Sequence, residues 1–305
     1  YTWKFVWSPL VDRYNLFHFG RRRSWMLISQ IAVFFSIFLL GQFSPKTSLS
    51  VIAVVSVILS FASATQDIVI DAYRREILTD RELGLGTSLF ITASRASSLV
   101  PGGLSLVIAQ FLSWSDVFFI TAAFMLPALV VTFFIKEPET INAPRNLRQA
   151  IIEPFREFKD RRGLKSMFLI ILFVFCYKLG DSMATALATP FYIDLHYDLL
   201  TIGLVAKNAG LWSMLIGGIL GGVIMLKTGI NKALWYFGFG QLITILGFVI
   251  LAHEGMGSDT APSVFLLAFV IIAECLGAGL GTSAFVAFLS AQTNKTYAAT
   301  QFALL

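Results

Sequence analysis

The sequence predicts an all-α integral membrane protein, and three observations carry that expectation. Of 305 residues, 56% are hydrophobic and only 13% are charged, against roughly 25% charged in soluble domains. The apolar residues gather in eight runs of the length needed to cross a hydrocarbon layer. The cations are confined almost entirely to one set of the loops between those runs. A soluble core has no room for 29 Phe alongside so many aliphatic side chains, whereas lipid solvates them.

In chain order, residues 1–7 read as the tail of a preceding span. A polar loop follows, from Ser8 to Gly20-Arg21-Arg22-Arg23, carrying Asp12 and Arg13. Eight complete spans are expected at 25–43, 49–70, 85–111, 117–135, 167–192, 202–226, 233–252 and 263–289, and residues 300–305 read as the head of another. The chain is therefore expected to be truncated at both ends. Of 23 Lys and Arg, Arg95, Lys178 and Lys207 fall inside runs and Lys46 lies in a loop on one side. All the others share the side of the Asp12–Arg23 loop, which assigns that side to the cytoplasm.

The runs divide near the middle. Residues 1–136 form an N-terminal helical half, 137–165 a cytoplasmic linker, and 166–305 a C-terminal helical half. In the linker, Leu147, Ile151, Ile152, Phe155 and Phe158 follow a helical stripe, with Arg148, Arg156, Lys159 and Arg161 elsewhere. This predicts an amphipathic helix on the anionic leaflet; a soluble connecting helix is the alternative. The short basic turn at 227–232 echoes the Arg13–Arg23 loop, the pattern of a parallel repeat about an axis normal to the membrane.

Several function classes fall away on residue chemistry. Cys176 and Cys275 lie in separate apolar runs, which argues against a disulfide framework. His18, His196 and His253 are scattered over different loops, and no metal-ligand spacing or phosphate-binding glycine loop occurs. Neither a metal nor an enzyme is expected, with a membrane-bound acyltransferase as the different-class alternative. The basic balance sits in membrane-flanking loops and does not point to nucleic acid.

Charges at mid-bilayer depth are costly and mark candidate functional positions. Arg95 lies near the middle of its run. Lys178 and Asp181 are spaced i, i+3 and can pair on one helical face. Glu274 is central in the eighth run, while Lys207 and Asn208 are shallower. Gln66, Asp67 and Asp71 form a second group, with Arg74 and Arg75 within reach of Asp71. Gln66, Asp67, Arg95, Lys178, Asp181 and Glu274 are the candidates for substrate or proton coupling. A permanent buried ion pair is the structural alternative for Lys178 and Asp181, and a helix-packing acid for Glu274. Asp12, Arg13, Asp71 and Arg74 are candidates for a cytoplasmic gate, with Asp12 able to accept from a helix N-terminus. Arg21–Arg23 are expected to anchor at headgroups and set topology.

The segments Trp-Lys-Phe-Val-Trp-Ser-Pro-Leu-Val-Asp-Arg (3–13), Gly-Arg-Arg-Arg-Ser-Trp (20–25), Ala-Thr-Gln-Asp-Ile-Val-Ile-Asp-Ala-Tyr-Arg (64–74), Glu-Pro-Phe-Arg-Glu-Phe (153–158) and Ala-Thr-Gln-Phe-Ala-Leu (299–304) resemble the AmpG-type anhydromuropeptide permeases. These belong to the major facilitator superfamily and are related to acetyl-coenzyme A transporters. The resemblance implies the major facilitator fold of two pseudo-symmetric six-helix halves. The N-terminal half would lack its first span and most of its second, and the C-terminal half nearly all of its last two. It implies proton symport of anhydromuropeptides, products of peptidoglycan turnover, across the bacterial inner membrane by alternating access. Acetyl-coenzyme A or another solute is the alternative cargo. No cofactor is expected, the proton gradient being the energy source. The expected partners are the sugar-peptide substrate, protons and the bilayer, and the expected state is a monomer.

Overall fold

A computed structural model describes residues 3–138, 146–256 and 261–304, and shows helices and no strand among them. A short helix, α1 (Ser8–Arg13), precedes α2 (Arg21–Leu40), α3 (Leu49–Ile77), α4 (Leu83–Ile108) and α5 (Trp114–Phe134). The helical run Leu147–Asp194 is broken at Gly163, where φ is 75° and ψ is 154°. Its two parts are α6 (147–162) and α7 (Gly163–Asp194). Then come α8 (Leu199–Thr228), α9 (Ile230–Gly255), α10 (Val264–Gln292) and the short α11 (Ala298–Leu304). Eight of these, α2–α5 and α7–α10, are long and apolar enough to cross a membrane, matching the eight expected runs in order.

The helices reach further into polar sequence than hydropathy predicts. The span expected at 25–43 begins at Arg21, and that expected at 49–70 continues to Ile77. The segment expected to be a loop folds partly into α1, with Asp12 at its end. The cause is shared: these charges are paired inside the protein, so the helix need not end where apolar residues do. Two spans also carry wide π-turns, Val100–Leu104 in α4 and Ile202–Ala209 at the start of α8. In the first, Pro101 has no N–H to give the ladder, and the Ser105 hydroxyl donates to the Val100 carbonyl at 2.8 Å.

The chain forms two compact units. The first comprises Tyr1–Ile77, Ser97–Arg161 and Gln292–Leu305. Its core gathers Val11, Met26, Ile68, Val69, Ala72, Ala298 and Ala299 from α1, α2, α3 and α11. The α6 helix docks here through Ala150, Pro154 and Phe158, all buried. The Tyr297 hydroxyl donates to Glu153, Asn294 Nδ2 to Glu157 (3.0 Å), and Gln301 Nε2 to Glu157 (2.7 Å) and the Pro154 carbonyl (2.9 Å). Burial and the Glu153 carboxylate both hold the Tyr297 hydroxyl above its ordinary pKa. Phe158 thus leaves the stripe predicted for the leaflet and faces the protein, while Ile151, Ile152 and Phe155 remain about half exposed. The Leu147 side chain and linker residues 139–145 lie outside the described residues.

The second unit comprises Leu78–Ala96 and Arg162–Ala291, so α4 contributes its first half here. Helices α8 and α10 meet backbone to backbone. A Cβ on Gly217 would lie 2.3 Å from the Leu276 carbonyl oxygen, and one on Gly279 2.4 Å from that of Met214. Such close approach through small residues is how helices associate in lipid, where the hydrophobic effect does not drive them together. A separate apolar cluster of Tyr192, Tyr197, Ile202, Leu251, Leu267, Val270 and Ile271 ties α7, α8, α9 and α10.

Candidate functional site

In the second unit, four charged candidates from three spans come together. Lys178 and Asp181 lie one turn apart on α7 and form an ion pair. Lys178 Nζ also donates to Thr282 Oγ1 on α10 at 3.4 Å. Asp181 is buried, and its second oxygen accepts from Gln241 Nε2 on α9 at 3.2 Å. Arg95 on α4 lies within Coulombic reach of Asp181. Glu274 on α10 is buried and lies within Coulombic reach of both Asp181 and Lys178. Its hydrogen-bond donor is the Cys275 thiol at 3.3 Å, a weak donor.

Two cations and two carboxylates therefore sit at mid-span in formal balance, with unequal support. Asp181 is held from two sides by an ammonium and an amide, while Glu274 has a thiol. The ring of Tyr177 stacks on Phe285 at 5.2 Å between centroids. Glycines make its place: a Cβ on Gly238 would fall 3.1 Å from the ring, and one on Gly281 3.2 Å from the hydroxyl and 2.4 Å from Gln241 Oε1. A cavity of about 730 Å³ opens beside Tyr177, Asp181 and Gln241, walled by Phe173, Trp235, Phe239 and Phe288.

In the first unit, Asp12 is fully buried at the centre of a network. It accepts from the backbone N–H of Ala299 (3.3 Å) and Thr300 (2.9 Å) and from the Thr300 hydroxyl (2.7 Å). The expected helix N-terminus is thus that of α11. Arg22, also fully buried, pairs with Asp12 at 2.8 Å and with Glu76, and Arg21 pairs with Glu76 at 3.1 Å. This corrects the expectation that Arg21–Arg23 serve headgroup anchoring: Arg21 and Arg22 face inward because Glu76, near the end of α3, compensates them. Arg23 donates to the carbonyls of Thr132 and Phe133. Glu137 caps α2, accepting from the N–H of Arg22 (2.7 Å) and Arg23 (3.1 Å).

The remaining gate candidates separate. Asp71 and Arg74 form a buried pair at 2.9 Å, and Arg75 Nε donates to the Thr293 carbonyl at 3.1 Å. Arg13 sits over the Tyr14 ring, 5.6 Å from its centroid, away from the carboxylates that hold its neighbours. Gln66 and Asp67 are half-buried on α3, and among the described residues neither side chain makes a hydrogen bond. The six coupling candidates thus divide, four converging in the second unit and two lying in the first. Sequence reasoning missed Gln241, Glu76 and Glu137. Glu76 stands at the polar end of its span, where an acid signals a counter-charge for a neighbouring basic loop, but a single glutamine in an apolar run carries no such signal.

Comparison with known proteins agrees with this architecture. The Major Facilitator Superfamily model matches residues 3–305. Over its whole length the chain is 38% identical to the anhydromuropeptide permease of Escherichia coli (strain K12), and it spans 61% of that protein. It is 47% identical to an uncharacterised protein of Haemophilus influenzae, spanning 72% of it, and 31% identical to the Rickettsia felis protein that bears the name AmpG 4, spanning 74%. The chain belongs to the Major Facilitator Superfamily, a family of membrane transporters and not of enzymes.

Proposed function

We propose that this chain serves the import of anhydromuropeptides across the bacterial inner membrane by proton symport. In this reading two helical halves, 1–136 and 166–305, alternate access around a midplane site and are joined by the linker 137–165. The observation that carries it is the balanced group of Arg95, Lys178, Asp181 and Glu274 inside membrane-spanning helices. The choice of solute rests on similarity to the E. coli permease. The predominance of Lys and Arg on one side supports a cytoplasmic placement of α6 and of the Asp12 network.

The group suggests how proton and solute become coupled. Glu274 has the fewest donors to hold its charge, so it is the carboxylate assigned to carry the proton. Protonating it leaves Arg95 and Lys178 with one counter-charge between them, Asp181. In a low-dielectric site that excess positive charge attracts an anionic group of the solute. Release of the solute restores the balance by releasing the proton. Uptake of labelled anhydromuropeptide into vesicles carrying the full-length protein, with and without a proton gradient, tests the proposal. Gradient-stimulated uptake is expected, and uptake indifferent to the gradient sinks the symport mechanism.

A further inference from the structure

Lys207 is the intramembrane cation that the balanced group does not absorb. Arg95 and Lys178 lie within reach of Asp181. Lys207 has no carboxylate partner among the described residues. Its ammonium donates at 3.4 Å to the Thr189 hydroxyl on α7. Three donors on a charged nitrogen thus meet one long, neutral contact. The residue lies eight positions into α8, roughly 12 Å from its start at 1.5 Å per residue, where hydrocarbon supplies no acceptor.

The local backbone sets this lysine apart. Downstream, α8 buries the stripe Gly218, Gly221, Gly222 and Met225. Gly218 and Met225 stand 11 and 18 residues beyond Lys207, so an uninterrupted α-register would align the lysine with that packed face. The π-turn Ile202–Ala209 breaks the register, and Lys207 and Asn208 are exposed. Wide turns inside α-helices are frequent at functional sites. A Cβ on Gly203, one turn before, would meet no atom within 4 Å. The result is an exposed cation within a span, with the Thr189 hydroxyl in contact and Asn208 exposed next to it in the chain.

We infer that Lys207, with Asn208 and Thr189, forms a carboxylate-binding subsite for the transported solute, separate from the Arg95–Lys178–Asp181–Glu274 group. The inference rests on the proposed transport of a sugar-peptide, whose peptide carries carboxylates. An ammonium supplies charge-assisted hydrogen bonds to one carboxylate, and the amide of Asn208 and hydroxyl of Thr189 add neutral donors that fix its orientation.

The test compares labelled anhydromuropeptide with the same compound carrying its peptide carboxylates as amides. Uptake of each is measured in vesicles of the full-length protein. The unmodified protein is expected to show a KM for the acid lower by roughly tenfold or more, as a hydrogen bond between charged groups gives. Lys207→Gln is expected to cut that preference by roughly tenfold, leaving only the part that Arg95 and Lys178 contribute. Lys207→Arg, which keeps the charge, is expected to retain the preference and shows that position 207 tolerates change. A preference for the acid that Lys207→Gln leaves undiminished overturns the subsite, as does equal KM for both compounds in the unmodified protein. Failure to take up either compound overturns the proposed solute itself, and the subsite with it.

Discussion

The two units use buried charge in opposite ways. In the first, each buried ion is answered: Asp12 accepts three hydrogen bonds from α11, Arg22 lies between Asp12 and Glu76, and Glu137 caps α2. In the second, charges balance in number but not in contact, since Glu274 leans on a thiol while Asp181 has two donors. A network in which each buried ion has a counter-charge fixes one arrangement, because removing any member strands a buried charge. A group with one weakly supported carboxylate has two protonation states open to it. Position follows the same division: the Asp12 network sits at helix ends, where it can clamp α1, α2, α3 and α11, and the balanced group sits at mid-span.

The largest expected effect breaks the clamp. Glu76→Ala removes a counter-charge from both Arg21 and Arg22, the latter fully buried. Breaking a buried pair costs about 3–5 kcal/mol, read as a lowered melting temperature of the detergent-solubilised protein. Glu76→Gln, which keeps the shape and some acceptor capacity, should fall between. Melting unchanged in the alanine variant would remove the contrast between the units.

Next comes Glu274→Gln, where the expected loss is in function and not in stability. The amide keeps the volume and cannot exchange a proton. Gradient stimulation of uptake should disappear while the melting temperature stays within a few degrees. If stimulation persists, Asp181 or Asp67 becomes the proton carrier, and the unequal support of the two carboxylates means nothing for coupling.

A smaller effect is expected for Gln241→Leu. It strips one oxygen of buried Asp181 of its donor, an omission that costs about 1–3 kcal/mol. The loss should shrink in the double variant with Asp181→Asn, since the two side chains share one interaction. Equal losses with and without the aspartate would show that Gln241 acts through packing alone.

How much of this was legible in the sequence depends on the range of the interaction. The eight spans follow from local hydropathy, and the Lys178–Asp181 and Asp71–Arg74 pairs from helical spacing, so all were readable. The inward turn of Arg22 depends on Glu76, 54 residues away, and a run of arginines beside a span looks the same whether it faces lipid or protein. Gln241 matters only because α9 passes α7 at Asp181. The burial of Phe158 depends on the docking of α6 against Tyr297 and Gln301, and neighbouring Ile151 and Phe155, equally apolar, face the other way. The π-turn that frees Lys207 leaves no mark in composition.

The smallest expected effect separates two residues adjacent in the chain. Asp12 and Arg13 both follow from the same polar segment, yet Asp12 is fully buried and Arg13 lies over the Tyr14 ring. A cation over a partly exposed ring contributes about 0.5–1 kcal/mol. Arg13→Gln should therefore lower stability by no more than that and leave uptake within about twofold, the change in an equilibrium that ~0.5 kcal/mol produces. Asp12→Asn, by contrast, removes charge from a site where an arginine and a helix N-terminus converge, and should approach the loss seen for Glu76→Ala. If Arg13→Gln instead costs as much as Asp12→Asn, the clamp includes a member that makes no contact with its carboxylates here. The network would then have to exchange partners in another state of the transporter, with Arg13 taking the place that Arg22 holds beside Asp12.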